Sequence, residues 1–355
     1  MDFKHFPIEK YLKLREANRA FLQSFYAGTG ARVAVSQRPG YQFTGPICRY
    51  RDRQLENELE YIAQSMMYRS DLMLSSLEPW LGVGIYAAGF GAKYIWTDTA
   101  APQTRAFVKT PEEIASLRLK PLSEWEEMQE VLARIRYFKQ ETAGQIGITL
   151  TDTQSPNDTA SLIMDAAEFF ADCLDEPESV APLLEKVTDA IIRYSRIQME
   201  EIGDVFCAPG HIAVSGFGVN SVMLSGDNLA ILSPSAFRNS EAAYLERIAE
   251  AFGGVCVHSC GRFTHNVKEL LALKGLRMFD CCVDLSDPNP NDPRLLAEMI
   301  KGRPDVIVQA RVSVHRADVL KPLIDSGARL HILFGPDPDP LVSNRLVESF
   351  KDKYL

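Results

Sequence analysis

The stretch Gly254–Cys282, GVCVHSCGRFTHNVKELLALKGLRMFDCC, decides how the rest of the chain is read. It opens on a short apolar run, Gly254–His258, rich in β-branched residues, the pattern of a strand covered on both faces. A helical pattern, Phe263–Leu273, follows, and a second apolar run, Leu276–Cys282, begins just after Gly275. Such a strand–helix–strand unit, repeating at about 25 residues, is close to the shortest that joins two parallel strands through a helix. Downstream the unit recurs: helix Arg294–Lys301, strand Asp305–Ala310, helix Ala317–Ser326, strand Arg329–Phe334 and a closing helix Leu341–Lys351. Upstream, strands are expected at Arg32–Gln37, Asp71–Ser75, Gln145–Thr151 and Ser221–Leu224. Helices are expected at Ile8–Tyr26, Leu55–Met67, across most of Pro111–Ala143, two or three times between Thr159 and Ile202, and at Pro234–Phe252. Eight strands alternating with helices point to an α/β fold closed as a (β/α)8 TIM barrel. No Gly-x-Gly-x-x-Gly follows the first strand, which argues against an open dinucleotide-binding sheet. Residues 1–355 read as a single domain, with 1–30 a helical extension and Trp80–Lys109 and Val205–Asn220 loop insertions.

Composition agrees with a large globular enzyme. Of 355 residues, 46% are hydrophobic and 24% charged, and the net charge is −9, which removes the basic surface that nucleic-acid binding needs. The start, MDFKHFPIEKYLKLREANRAF, has no apolar core behind a basic end, and no run approaches a membrane span. A soluble cytoplasmic protein is therefore expected. Seven scattered cysteines read as thiols rather than as a disulfide framework.

In a (β/α)8 barrel the chemistry lies at the carboxyl ends of the strands. His258-Ser259-Cys260-Gly261 stands at such an end. Alternation lets His258 and Cys260 face the same way, and imidazole with thiolate is a zinc-type ligand pair. Cys281 or Cys282, at the end of the next strand, is a candidate third ligand; Cys281 is preferred. Cys256, deeper in its strand, reads as core, and Cys207 with His211 as a weak pair in an irregular loop. Carboxylates collect at other strand ends: Glu78, Asp152, Asp227, Asp337 and Asp339. Glu78 and Asp227 are candidates for the chemistry itself, and Asp152, Gln309 and Arg311 for holding substrate. Capping of the following helix is the plainer role for Asp152, Asp227 and Asp339. His265, His315 and His331 read as a surface or supporting residue, a loop residue and a strand residue.

Three stretches, Leu150–Ile192, Ser225–Ile248 and Val257–Leu271, resemble the uroporphyrinogen decarboxylase superfamily, a family of (β/α)8 barrels, and the likeness runs from about Asp71 to Leu333. The decarboxylase branch is marked by an Arg-rich motif near the amino terminus and a Phe-Ser-Asp aspartate after the second strand. Here SQRPGYQF follows the first strand, and Ser76 stands at the aspartate position. The branch of zinc-dependent methylcobamide methyltransferases holds zinc with a His-x-Cys pair, which His258 and Cys260 match. Its distal cysteine after the last strand is replaced here by Asp337, so Asp337 or a relocated Cys281 is the implied third ligand. This resemblance implies zinc as cofactor and methylcobalamin carried on a partner corrinoid protein. The methyl group would move between it and a small-molecule thiol or pterin acceptor. No nucleic acid or membrane is implied, and a homodimer stays open. The alternatives are a decarboxylase-like lyase acting on a tetrapyrrole or other carboxylated substrate, and a non-catalytic corrinoid- or tetrapyrrole-binding barrel.

Overall fold

The computed structural model describes residues 1–40, 45–73 and 76–355. Eight parallel strand segments close a (β/α)8 barrel: β1 Val33–Gln37, β2 Ser76–Leu77, β3 Gly147–Ile148, β4 Val222–Ser225, β5 Val255–His258, β6 Leu276–Cys282, β7 Ile307–Ser313 and β8 Arg329–Gly335. β4 to β8 and β1 form one continuous six-stranded sheet, and β2 pairs with β3. Short bonds close the ring. The Asp71 amide donates to the Val35 carbonyl at 2.7 Å, and the Ser225 amide donates to the Thr153 carbonyl at 2.9 Å.

The second half of the barrel forms nearly where the sequence places it, because β-branched apolar runs there are flanked by clear helix starts. Asp292 and Asp339 cap two of these helices through their side chains, with Pro293 and Pro340 at the first helical position. The first half departs from expectation. Strand two is Ser76–Leu77 instead of Asp71–Ser75, of which Leu74 and Ser75 lie outside the described residues, as does the Tyr41–Phe43 part of the segment after β1. Asp71 instead binds β1 with its side chain, accepting the Val35 amide at 3.0 Å. Strand three shrinks to Gly147–Ile148. The expected helix Pro234–Phe252 breaks into Pro234–Ser240 and Ala242–Phe252 at Glu241, whose φ of −131° is not helical. The carboxylate of Glu241 turns inward to accept the Asn157 amide at 2.9 Å. Pro111–Ala143 is likewise split, into Pro111–Ile114 and Glu126–Glu141, around Pro121.

Of the insertions, 80–109 holds a short helix, Ile85–Gly89, and an antiparallel hairpin, Lys93–Ile95 with Gln103–Arg105. The amino-terminal helix Ile8–Ala27 reaches into the barrel wall: the Tyr26 hydroxyl donates to the Val214 carbonyl at 3.3 Å, and Phe25 meets His331 edge-on at 6.4 Å. Among the described residues no helix is long and apolar enough to cross a membrane.

One feature of the sheet positions the site. Register pairs Ser225 with His258, His258 with Asp280, Asp280 with Gln309 and Gln309 with His331. Five strands therefore contribute one polar residue each to a single row, otherwise surrounded by Val, Ile, Leu and Phe. All five are buried. Burying so many polar groups is tolerable only where they satisfy one another.

Candidate metal centre

His258 ends β5 with both ring nitrogens engaged. Its Nδ1 lies 2.5 Å from Asp280 Oδ2, and its Nε2 lies 3.2 Å from Cys260 Sγ. A carboxylate on Nδ1 fixes the proton there and leaves the Nε2 lone pair for a ligand, the arrangement that supports metal-binding histidines. Gly261 lets the chain turn tightly here: a Cβ at that position would meet the Ala230 methyl at 2.6 Å. Asp227 comes from the turn after β4 and accepts the Cys260 amide at 2.6 Å. Ligand atoms of Asp227, His258 and Cys260 all lie within 4.8 Å of one another, with His258 buried and the other two residues exposed at the barrel mouth. Nitrogen, sulfur and oxygen donors with an open side toward solvent fit a catalytic zinc position. Desolvation of the sulfur, followed by the nearby Asp227 charge, pushes the Cys260 thiol up to about 12. A cation would be needed to make it a thiolate at neutral pH.

Behind His258, Asp280 is fully buried. Burial alone would raise its pKa, but Arg311 and His258 hold it well below the usual carboxylate range. Arg311 donates from Nε to Asp280 Oδ2 at 2.9 Å and from a terminal nitrogen to the Ser259 carbonyl at 3.0 Å. Gln309 donates to Asp280 Oδ1 at 2.6 Å.

A second cluster lies on the other side of His258. The His211 ring meets the His258 ring edge-on at 5.6 Å. Its Nδ1 lies 3.0 Å from Glu78 Oε1 and 4.0 Å from Asp152 Oδ1. Burial opposes charge on His211, yet Asp152 and Glu78 overcome it and raise its pKa to about 9. Asp152 is held in place by Ser225 Oγ at 2.7 Å, Gln154 Nε2 at 3.2 Å and the Trp80 indole at 3.4 Å. His211 has a φ of +42°, unusual for a residue other than glycine, and follows Gly210 at +107°.

The model of the uroporphyrinogen decarboxylase (URO-D) family matches residues 81–289, more than half of the chain. The chain belongs to this family. No curated protein matches it. A solved methyltransferase from Methanosarcina mazei is similar in fold, with a TM-score of 0.63 over 96% of this chain and 99% of its own, at 12% sequence identity.

Against its relatives' pattern, this URO-D family member gathers some of the expected residues and disperses others. Glu78, Asp152, Asp227, His258, Cys260 and Arg311 converge. Neither Asp152 nor Asp227 caps a helix, unlike Asp339. Cys281 does not join them. Alternation along β6 gives the inward position to Asp280, and Cys281 is buried with its thiol 3.7 Å from the Gln309 carbonyl. Burial pushes that thiol well up. Asp337 is also displaced: it pairs with His315 Nε2 at 2.9 Å on the far rim. Gln309, expected to hold substrate, is fully buried with both ends of its amide committed, to Asp280 and to His331. Cys282 lines a cavity of about 470 Å³ at the ends of β6, β7 and β8, together with Arg38, Arg311, Asp284 and Ser313.

Asp280 escaped the sequence reading, and His211 entered it only as a weak partner of Cys207. Asp280 had a signal, an acidic residue inside a largely apolar strand, masked by the two cysteines beside it. His211 had none beyond its place in a glycine-rich loop, because no periodicity aims a loop side chain.

Proposed function

We propose that this URO-D family barrel is a zinc-dependent methyltransferase that moves a methyl group between a methylcobalamin-carrying corrinoid protein and a thiol or pterin acceptor. The observation that carries this reading is the Asp227, His258 and Cys260 cluster, three different donors within 4.8 Å at an open barrel mouth. The similarity in fold to a methyltransferase from Methanosarcina mazei supports it. His258 through Nε2, Cys260 through Sγ and Asp227 through its carboxylate would hold the ion. When bound, zinc would supply a positive centre that lowers the pKa of the acceptor's nucleophilic group.

The chain's own residues do the rest. Asp280 orients the imidazole and balances Arg311. His211, charged between Glu78 and Asp152, would stand beside the acceptor as a proton-holding group. The cavity lined by Arg38, Arg311, Asp284 and Asp287 suits a polar acceptor. A mouth open at Asp227 and Cys260 leaves room for a bulky donor to approach.

The test is demethylation of methylcobalamin, followed by its visible absorbance, in the presence of zinc and a panel of thiols and pterins. Turnover that disappears in Cys260→Ala supports the reading. No turnover with any acceptor by zinc-loaded, folded protein, alongside loss of carboxylate from a porphyrinogen, would move the chain to the decarboxylase side of its family.

A further inference from the structure

The polar row does not stop at Asp280. Gln309 Nε2 donates to Asp280 Oδ1 at 2.6 Å, and Gln309 Oε1 lies 2.7 Å from His331 Nδ1. His331 Nε2 lies 2.8 Å from the Ser36 hydroxyl on β1. Ser36, Gln309 and His331 are all buried, and none meets the cavity or the mouth. The chain's direction is set from Asp280 outward to His331; the Ser36 hydroxyl, which also donates to the Leu72 carbonyl at 2.5 Å, sets no direction beyond it. A carboxylate only accepts, so the Gln309 amide must turn its NH2 group toward Asp280. Its carbonyl then faces His331, which must carry a proton on Nδ1. His331 on β8 thus fixes the orientation of Gln309 on β7, and Gln309 fixes the Asp280 carboxylate on β6 that meets His258.

A structural core has no need of this chain. Replacing buried polar pairs by apolar residues of similar shape is often neutral or stabilising. What the chain supplies is direction. Asp280 has two oxygens; Arg311 and His258 share Oδ2, while Gln309 alone holds Oδ1. Without Gln309 the carboxylate is held at Oδ2 alone, and the acceptor facing His258 Nδ1 is less firmly fixed.

We propose that Gln309 and His331 are positioning residues: the buried pair His331–Gln309 locks the Asp280 carboxylate so that His258 presents Nε2 beside Cys260 to a metal ion. This rests on the zinc-site reading above. It predicts that residues reaching neither metal nor substrate set the metal affinity, by the 10- to 100-fold, approximately, that outer partners of metal ligands typically contribute.

The experiment compares Gln309→Met, His331→Phe and His331→Asn with the unaltered chain. Asn returns a donor near the place of Nδ1, whereas Phe keeps the ring shape without it. Zinc affinity is read by competition with a chromogenic chelator, and the cobalt-substituted proteins are compared by visible absorption. Far-UV circular dichroism and urea midpoints check folding. Gln309→Met and His331→Phe are expected to weaken zinc about 10-fold or more and to shift the cobalt bands, with His331→Asn restoring both. A merely structural role would lower the urea midpoint and leave the affinity and the cobalt spectrum of the folded protein unchanged, which overturns the proposal.

A metal-free readout separates this outcome from failure of the zinc reading. Nitrogen NMR of the His258 ring should show the Nδ1-protonated form in the unaltered chain and in His331→Asn, and a mixture of forms in Gln309→Met. An unchanged His258 ring in Gln309→Met overturns the proposal whatever the metal result. Failure of the unaltered chain to bind zinc, with the ring responding as described, overturns the zinc reading alone.

Discussion

Two histidines, His331 at the far end of the polar row and His211 against the His258 ring, are driven in opposite directions. His331 sits in the barrel lumen among uncharged neighbours, and burial pushes its pKa down to about 4 against the weaker pull of the Asp280 and Asp71 charges. His211 sits in a loop, and burial pushes it down as well. There Asp152 and Glu78 are close enough to win, and the ring rises to about 9. Two buried acids repeat the contrast. Glu241, with no cation beside it, is raised by burial to about 8, whereas Asp280, beside Arg311, is held well below its usual range. Burial sets the default, neutrality, and only a partner of opposite charge within a few ångströms reverses it. One face of His258 is thus backed by a rigid row ending in a fixed negative charge, and the other by a group able to hold a proton.

Breaking the Asp280–Arg311 pair is the harshest test. Asp280→Ala leaves a largely buried guanidinium uncompensated and should cost about 3–5 kcal/mol of stability, read as a fall in the urea midpoint. A loss below about 1 kcal/mol would mean that Arg311 finds water instead.

Next in size is His211. Its folded pKa lies above the unfolded value of 6.5, so its contribution is complete below about pH 6.5 and is lost as pH rises toward 9. In metal-free protein His211→Gln should remove this alkaline decline and cost on the order of 2 kcal/mol near pH 6. An alkaline limb identical to that of the unaltered chain would refute the assignment of charge to His211.

Glu241→Gln sharpens the contrast from the acid side. The folded carboxyl keeps its proton from about pH 4.5 to 8 while the unfolded one loses it, so this group's contribution falls as pH rises through that window. The amide should abolish that slope and stabilise the protein by about 1 kcal/mol at neutral pH, seen in paired thermal melts.

Smallest at neutral pH is His331→Asn, since the ring is neutral there in both states. Its folded pKa is depressed, so stability is lost as pH falls from about 6.5 to 4, and this acid decline should flatten in the variant.

The barrel was legible in the sequence where strands are long and covered on both faces. Leu276–Cys282 forms as read, and Val255–His258 and Arg329–Gly335 lie within a residue of expectation at each end. It was not legible where side chains replace backbone partners, as Asp71 does beside β1 and Glu241 does at the helix break. Of the site, His258 and Cys260 stood out because alternation aims both toward the mouth. The third member of the cluster is Asp227, which stood among the expected site residues as a candidate for the chemistry, while Cys281 and Asp337 were preferred as ligands. In Cys281 the same alternation rule applied, but its phase depended on Asp280 facing inward, and a charged residue inside an apolar strand is easily taken for an outward one. The row from Ser225 to His331 had a sequence signature, polar residues inside five largely apolar runs, that becomes meaningful only once register aligns them.

The most direct test of the account is zinc K-edge X-ray absorption on the purified, zinc-loaded protein and on Cys260→Ala. The account predicts about one zinc per chain, with a single sulfur neighbour near 2.3 Å and nitrogen or oxygen neighbours near 2.0–2.2 Å, and loss of the sulfur signal in the variant. Two sulfur neighbours, or a sulfur signal that survives in Cys260→Ala, would contradict the Asp227, His258 and Cys260 ligand set.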